Sequence, residues 1–494
     1  MESAPRYIPQ LRTALVLAGT GTAGAYHAGV LRSLHEAGVK IDLLAGRGVG
    51  TIGAMFGAID GAERLWESDG VWRSARVTRL YRWRWSLRVA VLLVVAAFSA
   101  IMLPVVALTL AALASPAVYF LQFLGVDVGG AASSSYGGWL DTVFSPSGLP
   151  TYVPRLVVLA VTLLFVLLGF DAAVIALRRG VRRRARGGLW WRLLGNPLDR
   201  TMAVEWFTTG LWQAMRGAAT VAKPVADDLG ERYSELLSEN LGQPGFRELI
   251  VLTHDLDARR DVVFALVSDP YHSVYVKEEV TERVAVRPLE MIDLRRAPGR
   301  HAMDALTAAL SVPIATEPHL VRYPSESVWK GEAHRSCDRL DGMSRLLEEV
   351  ARAGVEQVII VSALPPATGP HTLAADRRGV RARAGQYLQS LETTALHDAV
   401  VSQASRFQAI FHIRPTHNPL GPFDFGGCYD EYSDRYQTLI ELVDRGYDDG
   451  FRQFVDAVVG ASGELIDIPS VEGLQTNPSL SEQLAAHKTR SGRQ

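Results

Sequence analysis

Two glycine-rich turns near the start of the chain have the spacing of sites that hold a negatively charged oxygen. The first, GTGTAG, follows the apolar segment 13–18, and the second, GRGVG, follows the apolar segment 41–45. A buried strand that turns through glycines into a helix presents unpaired backbone N–H groups to an anion. In the second turn the glycines have the spacing of a nucleophile elbow, where a serine stands at the centre. The central residue here is Gly48, which has no side chain to attack a carbonyl carbon.

The first turn also matches the dinucleotide pattern G-x-G-x-x-G, which is a weak signal on its own. A Rossmann site requires an acidic residue at the end of the second strand. Asp42 instead begins the second predicted strand, residues 41–45, and Arg47 follows that strand. An arginine in this place suits a 2′-phosphate, so a dinucleotide site remains an alternative.

The stretch from Leu15 to Ala54 resembles the opening of the patatin-like phospholipases. In that family a G-G-G-x-R-G oxyanion loop precedes a G-x-S-x-G elbow, and the helix and linker between the two motifs match closely here. Three positions depart from the pattern: Thr20 replaces a glycine, Ala23 replaces the loop arginine and Gly48 replaces the catalytic serine. The resemblance implies an α/β fold, a patatin-like three-layer α/β/α sandwich.

The resemblance also assigns a site. Family members use a Ser–Asp dyad whose aspartate lies in a D-G-G or D-G-A motif, and Asp341-Gly342 fits that place, before a predicted helix 344–353 and strand 357–362. A simple turn aspartate is the alternative for Asp341, because D-G is a common turn pair. The implied oxyanion loop comprises Gly19, Thr20, Gly21 and Gly24, and the implied elbow comprises Gly46, Arg47, Gly48, Val49 and Gly50.

Without the serine, acyl transfer through a covalent intermediate is not available at Gly48. We therefore expect a catalytically impaired protein that binds a membrane phospholipid or acyl chain, or serves as a scaffold. An active acyl hydrolase remains the alternative, with a hydroxyl of Thr20, Thr22 or Thr51 as nucleophile or with Asp341 acting on water. No cofactor is expected, and no zinc-type spacing of cysteine and histidine occurs.

Two long apolar runs predict a transmembrane hairpin. Residues 89–126 carry no charge, and residues 156–177 carry only Asp171, whereas a bilayer crossing needs roughly 20 apolar residues. We expect helices at about 89–113 and 156–177, the first followed by a bent interfacial segment, with residues 127–154 as a loop. A helical hairpin buried in a soluble core is the alternative. Asp171 pairs with the nearby basic cluster or serves a function within the membrane.

Charge around the hairpin predicts its orientation. Arginines precede the first run and follow the second, whereas the connecting loop has neither Lys nor Arg. The positive-inside rule then places both termini and the patatin-like domain in the cytoplasm. The flanking arginines are Arg73, Arg76, Arg79, Arg82, Arg84, Arg88, Arg178, Arg179, Arg182, Arg183, Arg184 and Arg186.

Overall composition limits the remaining possibilities. The 494 residues include 51 Lys and Arg against 52 Asp and Glu, which argues against nucleic-acid binding. Two cysteines, Cys337 and Cys428, favour a reducing compartment. We expect residues 10–75 and 196–470 to form the patatin-like domain, residues 76–195 to form the membrane hairpin, and residues 471–494 to be a disordered tail.

Overall fold

A computed structural model of the chain describes residues 6–126, 129–144, 152–178, 196–273, 289–296, 299–364, 380–415 and 438–460. The cysteine at 428 and the predicted tail lie outside these ranges, as do most of the arginines after the second apolar run.

A nine-stranded sheet forms the centre of the molecule, with strands in the order β11-β10-β1-β2-β5-β6-β7 and with β9 pairing to the end of β5 and to β8. The strands from β11 to β5 are parallel, β6 is antiparallel to β5, and β7 is parallel to β6. The strand bounds are β1 (Thr13–Gly19), β2 (Leu43–Gly48), β3 (Arg82–Trp83), β4 (Leu198–Asp199), β5 (Glu248–Asp255), β6 (Arg260–Leu266), β7 (Leu289–Asp293), β8 (His319–Arg322), β9 (Ala333–Cys337), β10 (Gln357–Ser362) and β11 (Ala409–Ile413).

Helices cover both faces of this sheet. The α-helices are α1 (Ala23–Glu36), α2 (Gly50–Ala58), α3 (Glu63–Trp66), α4 (Trp85–Phe123), α5 (Gly129–Phe144), α6 (Tyr152–Arg178), α7 (Thr201–Arg216), α8 (Ala226–Asn240), α9 (His301–Ala309), α10 (Met343–Arg352), α11 (Val380–Gln403) and α12 (Leu439–Gly450). The last of these continues as a π-helix, Phe451–Val459, and short 3₁₀ turns lie at Ala75–Arg79 and Ala404–Arg406.

Side chains of β1 alternate between two hydrophobic cores. Leu15 and Leu17 pack with α1, α2, α7, α8, α9 and α12 on one face. Ala14 and Val16 pack with α10 and α11 on the other face. Because neighbouring residues of a strand point to opposite faces, a continuous apolar run is what a doubly covered strand requires. The mixed α/β class with a mostly parallel sheet is confirmed, and its two covered faces fit an α/β sandwich.

The second strand is longer than the sequence indicated. β2 begins at Leu43 rather than at residue 41 and continues through the glycines to Gly48. Each of the last three residues pairs with β1, ending with Gly48 opposite Gly19. Glycine disfavours strands intrinsically, so this extension depends on long-range pairing that the local pattern does not show.

The long apolar segments form an insertion that leaves and re-enters the domain at one place. β3 pairs antiparallel with β4, so that Arg82 lies opposite Asp199 and Trp83 opposite Leu198. Arg84 N also donates to Pro197 O at 3.0 Å. We call residues 82–84 and 197–199 the neck.

The insertion differs from the predicted hairpin in two respects. α4 does not end near residue 113 but continues as a helix to Phe123 through Pro104 and Pro116. Pro116 cannot bond the carbonyl of Ala112, and the hydroxyl of Ser115 donates to that carbonyl at 2.7 Å, which compensates for the missing N–H. The expected loop contains a helix, α5, of 16 residues.

Within the described residues, one segment is long and apolar enough to cross a membrane, Trp85–Met102. Only 6% of this window is buried, which is unlike the buried core hairpin considered above. The other apolar helical segments, Thr109–Phe123 and Arg155–Phe170, are shorter, so the two-pass prediction is not supported. The side chain of Asp171 lies outside the described part of the chain.

Candidate functional site

Gly48 forms the apex of a tight turn between β2 and α2. Its φ of 54° is left-handed, a conformation that glycine adopts without the steric cost that a side chain brings. α2 begins two residues later, at Gly50. The backbone therefore has the strand-to-helix geometry of a nucleophile elbow, as the glycine spacing indicated.

The space above Gly48 is occupied. A Cβ atom built on this residue would lie 2.2 Å from the carbonyl oxygen of Gly19 and 2.8 Å from Oδ2 of Asp338. The Gly19 oxygen belongs to the backbone of β1 and cannot move aside as a flexible side chain would. A serine at this position therefore does not fit without displacement of the first glycine turn.

The oxyanion donor next to the apex is also engaged. In an elbow, the N–H of the residue after the nucleophile helps to hold the oxyanion. Here Val49 N donates to Gly19 O at 2.9 Å, so the same carbonyl fills the nucleophile's space and uses the donor. Nearby, Ala23 N and Ala25 N donate to Thr20 O and Thr22 O, which leaves fewer N–H groups for an anion at the first turn.

Asp338, and not Asp341, lies beside Gly48. The Asp341 carboxylate is half exposed at 48% and pairs with Arg339, whose Nε donates to Oδ1 at 3.1 Å. Asp338 is buried, and its backbone N–H donates to Ser311 O at 2.9 Å. Asp338 thus lies beside the turn at Gly48, and the dyad role inferred for Asp341 stays a prediction.

A fully buried arginine links Asp338 to a second carboxylate. Arg47 Nη1 donates to Asp338 Oδ2 at 3.1 Å, and Nη2 forms an ion pair with Glu392 of α11. All three side chains are buried. Burial of an unpaired charge is costly, so each member of this Asp338–Arg47–Glu392 cluster depends on the others.

Electrostatics make Asp338 a poor partner for a hydroxyl nucleophile. Burial raises the pKa of the Asp338 carboxyl above its ordinary value, and Arg47 with hydrogen bonds from the backbone of Arg339 and Gly48 offsets only part of that effect. Its oxygens are already used, Oδ2 by Arg47 and Oδ1 by the Arg339 N–H at 2.8 Å. The carboxylate is therefore held in a structural network.

The dinucleotide alternative requires a reachable Arg47. Because this arginine is fully buried and ion-paired to two carboxylates, it does not face a 2′-phosphate. The other assigned positions are buried as well: Gly19, Thr20, Gly21, Gly24, Gly46, Val49 and Gly50.

Candidate replacement nucleophiles lie close to the turns. The hydroxyls of Thr20 and Thr51 are buried and form no hydrogen bond within the described residues. Neither residue stands at the apex of the turn, and each hydroxyl lacks the adjacent base that activates a weak nucleophile.

The sequence interpretation did not identify two residues of the site, Asp338 and Glu392. Asp338 directly follows β9, which pairs with the carboxyl end of β5, and a charged residue after a buried strand at such an edge is a usable signal. Glu392 lies on α11, far along the chain from Arg47, and no local pattern connects the two. Among the described residues no group of three or more histidine, cysteine, aspartate or glutamate side chains could hold a metal ion.

Comparison with known proteins suggests the patatin-like family. The chain is 40% identical over 68 residues to patatin-like phospholipase domain-containing protein 6 of Mus musculus, Pongo abelii and Homo sapiens. This match covers 14% of the chain, and the chain spans about 5% of the length of these relatives. No protein-family model matches the chain.

Among solved structures, VipD from Legionella pneumophila aligns with 90% of this chain and 67% of its own, at 13% identity and a TM-score of 0.27. That similarity is too low to define the fold.

Proposed function

We propose that this chain is a membrane-associated, patatin-like protein that binds a lipid or acyl group, or serves as a scaffold, without hydrolysing it. The observation that carries this proposal is the occupied apex of the elbow. The Gly19 carbonyl lies where the Cβ of a serine would stand, and Asp338 fills the adjoining space.

Three elements of serine hydrolase chemistry are compromised together. There is no nucleophile at Gly48, the Val49 N–H is bonded to Gly19 O, and Asp338 is held by Arg47. Loss of the nucleophile alone lowers kcat by about a millionfold in a well-studied serine hydrolase. A turn that is also closed over its oxyanion donor has still less capacity for acyl transfer.

Lipid is the proposed ligand class for two independent reasons. The match of 68 residues is to patatin-like phospholipase domain proteins, and α4 carries a largely exposed apolar window of 18 residues. Among the described residues, the structure supports one membrane-spanning segment, on α4. We propose further that the shorter apolar helix α6, which packs against α4, enters the membrane with it as a two-pass hairpin, with both termini and the α/β domain cytoplasmic. The domain limits given above, 10–75 with 196–470 around an insertion at 76–195, belong to the same proposal.

Hydrolysis by the purified full-length protein in detergent tests the catalytic part. We expect no turnover of phospholipids or p-nitrophenyl esters and no labelling of serine or threonine by a fluorophosphonate probe. Turnover that disappears in Asp338→Ala, or in Asp341→Ala, would establish an active hydrolase instead. Probe labelling that is lost in Thr20→Val or Thr51→Val would identify the alternative nucleophile.

A further inference from the structure

A cleft of about 500 Å³ opens at the neck, away from the collapsed elbow. Its wall includes the first residues of α4 and α7, with Arg84, Trp85 and Arg200 on one part and Glu317 on another. Both helices direct their N-terminal ends at the cleft, which places two positive helix dipole ends there. Cavities of this size accommodate a small polar ligand.

Arg200 and Glu317 carry opposite charges on this wall but do not pair with each other. Within the described residues, neither side chain forms a hydrogen bond or an ion pair within 4 Å, although the carboxylate is near enough to raise the pKa of the guanidinium. Burial is the larger influence and lowers the pKa of Arg200. A partly buried cation that lacks a direct counter-ion is an unusual cost, and a bound anion would relieve it.

The other carboxylates of the wall already have partners. Asp199 Oδ1 accepts from Thr201 N at 2.8 Å and so satisfies the first turn of α7. Glu205 forms an ion pair with Lys223 at 2.5 Å. Glu317 is therefore the carboxylate available to a ligand, and Arg200 is the available cation. A ligand that carries both a phosphate and an ammonium group would satisfy both side chains, whereas a purely anionic ligand would meet repulsion from Glu317.

The position of the cleft indicates where such a ligand would come from. It lies at the foot of α4, the one described segment that is long and apolar enough to enter a bilayer. Trp85 lines the cleft and Trp83 belongs to the neck, and 68% and 55% of their surfaces are exposed, which is typical of aromatic residues at a membrane interface. A lipid headgroup beside α4 would therefore be at the right depth to reach Arg200.

We propose that the neck cleft binds the zwitterionic headgroup of a membrane phospholipid, with the phosphate on Arg200 and the ammonium group on Glu317. This site rests on the membrane association in the proposed function but does not depend on whether the elbow catalyses a reaction.

Retention of lipid by the full-length protein in nanodiscs tests this site. The nanodiscs contain either phosphatidylethanolamine or phosphatidylglycerol, and native mass spectrometry after detergent transfer counts the lipids that stay bound. We expect Arg200→Gln and Glu317→Gln each to weaken phosphatidylethanolamine binding by about tenfold or more, because each removes a charge-assisted hydrogen bond. Arg322→Gln and Glu235→Gln, at exposed positions of β8 and α8, serve as matched controls.

The amounts of each lipid that the four variants retain distinguish the possible outcomes. If Glu317→Gln leaves phosphatidylethanolamine binding unchanged, or if all four variants behave alike, the zwitterion site is refuted. Displacement by free phosphoethanolamine at equal concentration would show that a soluble compound is the ligand and would overturn the lipid assignment. Ester hydrolysis by the same preparations tests the proposed function separately. Failure of the headgroup proposal therefore does not decide whether the elbow is inactive, and the reverse also holds.

Discussion

Gly48 and Gly19 face each other at the ends of two parallel strands. The backbone carbonyl of Gly19 fills the space between them. Gly19 O accepts the Val49 N–H and lies 2.2 Å from the place of a Cβ at position 48. The departure from the elbow pattern is therefore more than the deletion of a hydroxymethyl group. The two turns have closed on each other, so that a restored serine meets a closed site.

We expect Gly48→Ser to fail as a rescue of hydrolysis. The substitution combines a left-handed φ with a contact to backbone, and should lower the free energy of unfolding by about 2–4 kcal/mol. Denaturant unfolding and p-nitrophenyl ester turnover measure the two effects. Gly38→Ser is the matched control, because Gly38 has a φ of 64° with no atom within 4 Å of its Cβ position. Gly38→Ser should lower the free energy of unfolding by about 1 kcal/mol, because it incurs only the cost of the left-handed conformation.

Equal losses for the two serine variants would show that the space above Gly48 is not restrictive. Ester turnover by Gly48→Ser above the unmodified protein would contradict the collapsed site directly.

His27 gives the same region a predictable pH dependence. This histidine of α1 is buried, and one ring nitrogen, Nε2, hydrogen-bonds to Ala18 O at 3.1 Å. Burial lowers its pKa to about 3, with Arg47 adding to the decrease. Its pKa in the unfolded chain is about 6.5, so below that pH the unfolded chain binds a proton that the folded chain does not. The contribution of His27 to the free energy of unfolding is therefore fully present above about pH 6.5 and decreases as the pH falls towards 3.

We expect His27→Gln, which keeps a hydrogen-bond donor, to flatten this dependence by up to about 1.4 kcal/mol per pH unit between pH 6 and 4. Denaturant unfolding in detergent at several pH values measures it. His35→Gln, at an exposed position of the same helix, is the matched control. An unaltered slope in His27→Gln would mean that another group carries the titration.

At the scale of elements, the Asp338–Arg47–Glu392 cluster joins β2, the segment after β9 and helix α11. These three elements lie far apart in the chain and enclose the carboxyl end of the central strands. The Arg47 guanidinium thus holds these three elements together by ion pairs, at the end of the sheet where the active site of a hydrolase would lie.

Removal of the central cation should leave two buried carboxylates without a partner. We expect Arg47→Met to lower the free energy of unfolding by about 3–5 kcal/mol, and the triple variant with Asp338→Asn and Glu392→Gln to recover most of that loss. Arg32→Gln, which removes the exposed pair with Glu36, is the control and should change stability by less than about 0.5 kcal/mol. A triple variant as unstable as Arg47→Met would show that the cluster is not held by charge.

Local sequence was sufficient for the elements whose signal is local. The apolar runs of β1 and β10 and the helical pattern of α10 predicted those elements to within one residue. The end of β2 and the position of Asp338 depend on pairing with distant strands, and the partner of Arg47 lies on a helix more than three hundred residues away. Such contacts leave no periodic trace, whereas the more conspicuous D-G pair at Asp341 forms a surface turn with Arg339.

For the whole molecule, the insertion between β3 and β4 contributes no strand to the central sheet. Its two ends are adjacent at the neck, and the strands of the central sheet come from both sides of it in sequence. Association with a membrane would therefore be carried by the insertion, while the α/β fold depends on the remainder of the chain.

Replacement of residues 85–196 by an Asn-Gly turn should convert the chain into a soluble domain. Arg84 N and Pro197 O are 3.0 Å apart, so two residues can join the antiparallel strands of the neck. We expect the shortened protein to remain in the supernatant after alkaline carbonate extraction and to unfold in one cooperative transition. The full-length protein, processed in parallel, should stay with the membrane pellet.

Two results would contradict this separation. If the shortened protein still sediments with membranes in carbonate, the apolar contact lies on the α/β domain and not on α4. If it loses cooperative unfolding, the insertion supports the fold itself, and the exposed apolar window of α4 must be covered by protein and not by lipid. Retention in the supernatant together with intact unfolding is expected only if the domain ends at the neck.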